Sequence, residues 1–399
     1  MQASIFVADD ESAVRKALVK RLSRCKHQVQ AFQSGEELMA ELEHKHPDLI
    51  LLDLKMTGMS GIDVLKQLRT QSRDSLVIVL TAYGTVEDAV EAMKLDAYDF
   101  VIKTVDLQGV EPVVNRAVEY LLLRRRVAYE TEHEASRYQW DRVVASSASM
   151  RALLTQLRDK AQAMKIPVCL TGEAGTGKEF LARVIHHNAP SAKGLFVTVN
   201  CAAVPNDHIE IELFGYEEGN STDLGPRKRG AIEQAESGTL FLDEIGALDH
   251  LVQGKLRQAF QDGSFRRLGG TDPISLNCRV IVATNPDQSG SPAVQNGGTL
   301  FSMFADSTML VPPLRNRIED IVPLCKRLMA QFAVKFGKNV DAIDPEATAL
   351  MEGYAFPGNV QELKSVIERA MILCRGKTLM SSDLPMEMQG PRCVVKSAS

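Results

Sequence analysis

Acidic residues follow two short apolar runs in the first part of the chain. Asp9 and Asp10 come directly after Ile5–Ala8, and Asp53 comes directly after Leu49–Leu52. If both runs are strands of one parallel sheet, their carboxyl ends meet at the same edge. Three carboxylates at one edge repel one another unless a cation neutralises them, and oxygen ligands of this kind suit Mg²⁺. The spacing therefore predicts a magnesium site built from the three aspartates.

A hydroxyl and an ammonium group extend this set. Thr81 follows the apolar run Val77–Leu80, and Lys103 follows Phe100–Ile102. Such groups bind the oxygens of a phosphate placed beside the aspartates. The alternative is that all of these are ordinary loop residues that cap helices. A lone pair of aspartates would favour that alternative, whereas five polar residues at matching strand ends favour a phosphate site.

The elements between these residues must form a sheet that brings them together. Short apolar runs alternate with segments of helical spacing over residues 1–122. The helical segments are Ser12–Ser23, Glu36–Glu43, Gly61–Arg69, Val86–Leu95 and Val110–Leu122. This alternation predicts a doubly wound, flavodoxin-like α/β fold with a parallel sheet.

Residues 1–122 resemble the receiver domain of two-component response regulators. The resemblance implies that Asp53 is the phosphoacceptor and that Asp9 and Asp10 hold Mg²⁺ with it. It further implies that Thr81 and Lys103 contact the phosphate, and that a sensor histidine kinase is the partner.

One position departs from that family. Lys103 is usually followed by a proline in a cis peptide bond, and here Thr104 follows it. A cis bond before a residue other than proline costs about 3 kcal/mol. We therefore expect a trans bond and a slightly displaced Lys103. The resemblance also makes Phe100 the aromatic residue whose packing follows that of Thr81.

The segment after the first domain leaves two interpretations open. Helical spacing continues to Leu121, and the following residues are charged and have no strong period. Residues 123–142 are then either a helical linker that carries a dimer contact or a solvated connection.

A glycine-rich loop lies between the apolar strand Pro167–Thr171 and the helical segment Phe180–His187. Its residues are Gly172, Glu173, Ala174, Gly175, Thr176, Gly177, Lys178 and Glu179. Strand, loop, lysine and helix in this order form a P-loop, whose backbone N–H groups surround phosphates while Lys178 reaches the outer ones. Glu179 stands where many P-loops carry a Ser or Thr ligand of Mg²⁺.

Two later strands also end in polar residues. Thr239–Leu242 is followed by Asp243 and Glu244, and Val280–Thr284 is followed by Asn285. Adjacent acids beside a P-loop suit metal binding and water activation. These residues predict a site for ATP and Mg²⁺.

The second half of the chain, over residues 143–386, resembles the AAA+ domain of sigma-54-dependent transcription activators of the nitrogen-regulator (NtrC) type. The strings that carry the resemblance are ELFG (212–215), GTLFLDEIG (238–246), PPLRNRIEDI (312–321) and PGNVQEL (357–363). It implies that Asp243 binds Mg²⁺, that Glu244 polarises the attacking water and that Asn285 senses the γ-phosphate.

The same resemblance implies a domain layout. A P-loop ATPase core is expected over 143–312, a small helical lid over 313–386 and a disordered tail over 387–399. The stretch after Leu384 is too short for a helix-turn-helix, so no DNA-binding domain is expected in this sequence.

The loop that contacts sigma-54 in that family departs from its pattern. The family carries GAFTGA there, and this chain has GNSTDL over residues 219–224. Ser221 replaces the phenylalanine that inserts into a partner, and Asp223 replaces a small residue. We expect a loop without an apolar tip.

Three arginine positions are also changed. Gly297 and Met303 occupy the places of the two arginines that reach a neighbour's nucleotide, and Gln361 occupies that of the lid arginine. An arginine finger raises the rate of nucleotide hydrolysis by a factor of about 10³–10⁵.

Two functions from different classes follow. One is a phosphorylation-controlled ATPase that assembles into a ring and acts on sigma-54 RNA polymerase. The other is a degenerate regulator that binds ATP, hydrolyses it poorly and acts by contact with an intact paralogous activator. Hydrolysis itself is left open. A metabolic P-loop kinase lacks any substrate-pocket signature.

Composition narrows the possible binding partners and the cellular compartment. The net charge of −5 argues against an overall nucleic-acid footprint, and the 7 cysteines are scattered as buried, reduced thiols would be. No signal peptide is recognisable, and no apolar run approaches the roughly 20 residues that span a bilayer. We expect a cytoplasmic bacterial protein.

Overall fold

The computed structural model describes residues 2–70, 75–81, 86–103, 107, 109–162, 167–189, 194–217, 227–285 and 300–389. It contains two compact units, Met1–His133 and Glu134–Ser399. The sequence-predicted features at 219–224, Thr104 and Gly297 lie outside the described residues, as does most of the predicted tail.

The first unit is a parallel sheet with helices on both faces. Its strands are β1 (Ser4–Ala8), β2 (Gln28–Phe32), β3 (Leu49–Asp53), β4 (Leu76–Thr81) and β5 (Asp99–Ile102). Its helices are α1 (Ser12–Arg24), α2 (Gly35–Leu42), α3 (Gly61–Thr70), α4 (Val86–Lys94) and α5 (Val110–Arg137), the last of which continues past His133. The strand order is β2-β1-β3-β4-β5, and every pairing is parallel. The predicted doubly wound fold is confirmed.

The apolar runs of the sequence become the central strands of this sheet. Every residue of β3 is buried, as expected for a parallel strand covered on both faces. Alternate residues enter two separate cores, Ile50 and Leu52 on one face and Leu49 and Leu51 on the other. The sheet edge that carries Asp53 is therefore held from both sides.

Helix α5 extends into the segment for which the sequence left a helical linker and a solvated connection open. It is continuous over 28 residues, from Val110 to Arg137. Leu123 and Val127 are exposed on its surface. A dimer contact through this helix stays a prediction.

The second unit combines a five-stranded parallel sheet with a helical lid. Its strands are β6 (Val168–Thr171), β7 (Phe196–Asn200), β8 (Gly215–Tyr216), β9 (Lys228–Arg229), β10 (Thr239–Asp243), β11 (Ser264–Phe265), β12 (Ile274–Ser275), β13 (Arg279–Thr284), β14 (Thr308–Leu310), β15 (Ala342–Ile343) and β16 (Thr378–Leu379). Its helices are α6 (Ala148–Gln162), α7 (Lys178–His187), α8 (Asn206–Phe214), α9 (Ala231–Gln234), α10 (His250–Asp262), α11 (Ile321–Phe336), α12 (Pro345–Glu352), α13 (Asn359–Leu373) and α14 (Met386–Gln389). The main sheet has the order β14-β6-β13-β10-β7, which places the ends of β6, β13 and β10 side by side.

Three contacts between distant parts of the chain complete this unit. Strand β14 pairs with β6 in parallel. The buried carboxylate of Asp320 accepts hydrogen bonds from the N–H and the hydroxyl of Ser147, both at 2.8 Å, at the start of α6. Arg279 is buried at the other end of that helix and donates to the carbonyls of Ala161 at 2.9 Å and Lys160 at 2.8 Å. Both ends of α6 are therefore capped by side chains from far along the chain.

Among the described residues, no helix is both long enough and apolar enough to cross a bilayer.

Candidate functional site

Three carboxylates lie together at the carboxyl ends of β1 and β3. Asp9, Asp10 and Asp53 each present one oxygen, and these oxygens lie within 4.8 Å of one another. Asp9 and Asp53 are buried, whereas Asp10 accepts a 3.2 Å hydrogen bond from the N–H of Thr57 nearer the surface. Oxygen donors at this separation match the ligand preference of Mg²⁺. The structure thus brings the three predicted aspartates together, and they fit the predicted ion.

Lys103 lies between two of these aspartates. Its Nζ is 2.7 Å from Oδ2 of Asp53 and 2.7 Å from Oδ2 of Asp9. Burial lowers the pKa of Lys103, but the two carboxylates outweigh this effect and the pKa is raised overall. Burial raises the pKa of Asp53, Lys103 opposes the rise and Asp9 adds to it, with a raised pKa as the result. One ammonium group does not balance three carboxylates, so the cluster still favours a further cation.

Backbone geometry holds Asp53 in place. Oδ1 of Asp53 accepts from the N–H of Lys55 at 3.2 Å. The N–H of Lys103 donates to the carbonyl of Thr81 at 2.8 Å, which keeps both residues at the same sheet edge. Gly61 starts α3 directly against Asp53, and a Cβ there would lie only 2.1 Å from the carbonyl oxygen of Asp53. Glycine is therefore required for this close approach.

The predicted P-loop connects β6 to α7. Gly175 and Gly177 have φ values of +75° and +101°, a conformation that glycine adopts readily. Lys178 is buried at the first position of α7, and its Nζ donates to the carbonyls of Gly172 at 2.8 Å and Glu173 at 3.2 Å. The loop, the lysine and the helix N-terminus therefore converge as an anion site requires.

Glu179 follows this lysine but is already engaged. Its carboxylate lies 2.9 Å from Nη2 of Arg183, which also contacts Glu134 at 2.8 Å. A role for Glu179 toward Mg²⁺ would require this ion pair to be exchanged.

Asp243 and Glu244 lie at the end of β10, beside the P-loop. Burial raises the pKa of both carboxyl groups, and the nearby Lys178 opposes the rise in each case. Glu244 has a φ of +53°, and its Oε2 is buried without a hydrogen-bond partner among the described residues. The backbone N–H of Asn285 acts on the same carboxyl group and lowers its pKa. Backbone strain and a buried, unpartnered carboxylate oxygen are features of functional sites.

The lid brings polar side chains to which the sequence assigned no role against the P-loop, among them Arg315 and Asn359. Arg315 pairs with the P-loop residue Glu173, and Asn359 donates to the carbonyl of Ala174 at 3.0 Å. Both residues lie within strings that carried the family resemblance, PPLRNRIEDI and PGNVQEL. The family resemblance of these strings could have drawn attention to the two residues, but no local sequence pattern predicts that they contact the P-loop.

The structure describes two of the three changed arginine positions, Met303 and Gln361. Met303 lies in a short 3-10 helix, Leu300–Ser307, and packs half-buried against the apolar core. Gln361 lies in the first turn of α13, and its backbone N–H donates to the carbonyl of Gly175 at 3.3 Å.

Family comparisons cover most of the chain. Residues 5–115 match the response regulator receiver domain, residues 143–298 match the sigma-54 interaction domain, and residues 315–396 match the AAA+ ATPase lid domain.

Individual relatives match over nearly the full length. The regulatory protein AtoC of Escherichia coli (strain K12) is 36% identical over 393 residues, which cover 98% of this chain and 84% of AtoC. The DNA-binding transcriptional regulator NtrC of the same strain is 32% identical over 96% of this chain and 81% of its own. A crystal structure of NtrX from Brucella abortus in complex with ATP matches with a TM-score of 0.64 at 31% identity, covering 100% of this chain and 88% of NtrX. This chain belongs to the family of two-component response regulators that control transcription through a receiver domain and an AAA+ sigma-54 interaction domain.

Proposed function

We propose that the receiver domain accepts a phosphoryl group on Asp53 from a sensor histidine kinase. The observation that carries the proposal is the position of Lys103, whose Nζ lies 2.7 Å from both Asp53 and Asp9. A carboxylate oxygen of Asp53 attacks the phosphorus of the donor phosphohistidine, and the P–N bond breaks. The Lys103 ammonium and the Thr81 hydroxyl then bind oxygens of the new acyl phosphate. Mg²⁺ on the three aspartates would neutralise charge on the transferred group.

We infer that the second unit binds ATP through the P-loop Gly172–Glu179. The Nζ of Lys178 would exchange its two carbonyl contacts for the outer phosphates, which are stronger, charged acceptors. Asp243 would hold Mg²⁺ and Asn285 would contact the γ-phosphate. The buried Oε2 of Glu244, which has no hydrogen-bond partner in the described part of the chain, supports a role for this residue in orienting and deprotonating the attacking water.

Regulation of transcription follows if ATP-dependent assembly is coupled to a partner. We propose that the phosphorylated chain self-associates in the cytoplasm, from dimer to ring, and acts on sigma-54 RNA polymerase. Family membership supports both the self-association and sigma-54 RNA polymerase as the partner.

A second candidate function rests on Met303. An arginine at this position would reach a neighbour's nucleotide, whereas the methionine packs against its own core. Without such a group, hydrolysis loses about 10³–10⁵ in rate. The chain would then bind ATP, hydrolyse it slowly and regulate by protein contact. A mixed ring with an intact relative would supply both the missing arginines and an apolar loop.

Steady-state ATP hydrolysis by the full chain separates the two candidates. It is measured with and without beryllofluoride, a phosphoryl mimic, over a range of protein concentrations. A rate per subunit that rises with concentration and with the mimic supports the assembling ATPase. Tight ATP binding with negligible hydrolysis supports the second candidate, and absence of ATP binding contradicts both.

A further inference from the structure

The lid holds a carboxylate of the P-loop through two side chains. Arg315 donates to Glu173 through both ends of its guanidinium group, with Nη1 2.8 Å from Oε2 and Nη2 2.5 Å from Oε1. Asn359 donates to the same Oε2 at 3.1 Å. Both carboxylate oxygens of Glu173 are therefore engaged by the lid, in the fork geometry that makes such pairs strong.

The backbone of the lid contacts the same loop. The carbonyl of Gly175 accepts from the N–H of Val360 at 3.0 Å and from that of Gln361 at 3.3 Å, in the first turn of α13. A Cβ on Gly175 would lie 2.3 Å from the carbonyl oxygen of Gly358. The middle of the P-loop and the start of α13 thus fit closely against each other.

These lid residues are themselves held in place. Asn359 is fully buried with a φ of +53°, and its Oδ1 accepts from the N–H of Leu314 at 2.8 Å. Arg317 is also buried and donates to the carbonyl of Thr176 at 2.8 Å. The lid and the P-loop are therefore joined by buried contacts beside the Arg315–Glu173 pair, whose own side chains are 44% and 28% exposed.

The charge on Glu173 conflicts with the proposed ligand of the loop. A P-loop surrounds a polyphosphate, and an unpaired carboxylate within it would repel that ligand. Arg315 neutralises the carboxylate and holds it in a fixed place. Arg315 also lowers the pKa of Glu173, so the carboxylate stays ionised and paired.

We propose that Arg315 is a positioning residue for nucleotide binding, because it neutralises Glu173 only while the lid is docked on the P-loop. Phosphate affinity is then coupled to lid position through this ion pair. The inference rests on the proposed binding of ATP to the P-loop. The effect grows with ligand charge, so it is larger for ATP than for ADP.

A double-mutant cycle on the full chain tests this coupling. The dissociation constants of ADP and of a non-hydrolysable ATP analogue, each with Mg²⁺, are measured by titration calorimetry. The variants are Arg315→Ala, Glu173→Gln and the double variant, with Arg315→Lys as the conservative change and Arg375→Ala as a control on an exposed lid arginine. Thermal unfolding without nucleotide reports on folding of each variant.

Arg315→Ala is expected to weaken binding of the ATP analogue by about three- to tenfold, and binding of ADP by less. In the Glu173→Gln background the same change should have little effect, because no carboxylate is left to repel the phosphates. Arg315→Lys should retain part of the affinity, since the charge remains but the fork is lost.

Equal losses in both backgrounds overturn the inference, since they mean that Arg315 contacts the nucleotide directly or matters only for folding. Equal weakening of ADP and the ATP analogue overturns it as well. A wild-type chain that binds neither nucleotide contradicts the proposed function instead, which keeps the two failures distinct.

Discussion

The ammonium group of Lys103 lies 2.7 Å from Oδ2 of Asp53, and both side chains are buried, at 6% and 4% exposure. The same ammonium also contacts Asp9. One buried cation therefore serves two buried carboxylates, and the charge balance of this edge is incomplete without a bound cation. We therefore expect the stability, metal binding and phosphorylation of the receiver domain to be linked through this arrangement.

Asp53→Asn is expected to stabilise the receiver domain at neutral pH. The pKa of Asp53 is raised by burial, so the folded state binds its proton more tightly than the unfolded state does. The ionised carboxylate therefore destabilises the fold, and stability falls as pH rises from the usual aspartate range through the raised pKa. Thermal unfolding should show a higher Tm for the variant at pH 7. The difference in Tm between the variant and the wild type should shrink toward acidic pH. A lower Tm for the variant at pH 7 would show that the ionised Asp53 does not destabilise the fold.

Phosphorylation should require Asp53 and Mg²⁺. Incubation with acetyl phosphate and Mg²⁺ is expected to add one phosphoryl mass to the wild-type chain, as measured by intact-protein mass spectrometry. Asp53→Asn should remove the label, and Asp10→Asn should raise the Mg²⁺ concentration needed for it, since one oxygen ligand is lost. Full labelling of Asp53→Asn would show that another residue is the acceptor.

ATP with Mg²⁺ should stabilise the second unit through Lys178. Ligand at about 100 times its dissociation constant adds about 2.7 kcal/mol to the free energy of unfolding. Lys178→Ala should abolish this gain in thermal unfolding, whereas Lys364→Ala, an exposed lysine of the lid, serves as the matched control. A gain that survives in Lys178→Ala would place the nucleotide elsewhere.

Met303→Arg should accelerate ATP hydrolysis. An arginine that reaches a neighbouring nucleotide stabilises the transition state, and even partial recovery of its effect should exceed about tenfold. The rate is measured at protein concentrations where the chain self-associates. Met303→Leu keeps the apolar packing and is the control. Equal rates in the two variants would show that this position does not face a neighbour's site.

The chain alone is not expected to open sigma-54 promoters. Burying a phenylalanine in a partner contributes about 1.5–3 kcal/mol that Ser221 cannot supply. Asp223 adds a charge whose desolvation opposes docking. A reconstituted open-complex assay measures this directly, with an intact family member as positive control. Efficient promoter opening by this chain by itself would refute the expectation.

The clustering of the candidate phosphate-site residues was predictable because they follow apolar runs that become adjacent parallel strands. Asp9 and Asp53 come together because β1 and β3 are neighbours in the sheet. The order of strands in a doubly wound sheet thus turns a local pattern into a three-dimensional site.

Other features of the fold and of the candidate site could not be predicted from a local sequence pattern. Arg315 and Glu173 are 142 residues apart, and neither carries a periodic signal that would pair them. Strand β2 was not apparent as an apolar run because it lies at the sheet edge with mixed exposure. Helix α5 continues beyond its apolar period because arginine, glutamate and alanine favour a helix without a buried face.

The hydrogen bonds between Asp320 and Ser147 join residues 173 positions apart, so they form only late in the synthesis of the chain. A ribosome adds roughly 5–20 residues per second, so the start of α6 waits roughly 10–35 s for its cap. Strand β6 waits almost as long for β14, and until then one of its edges has unpaired N–H and carbonyl groups that can pair with other chains. The nascent second unit therefore passes through a period in which it is prone to aggregation, and it ends when residues 308–320 have left the ribosome.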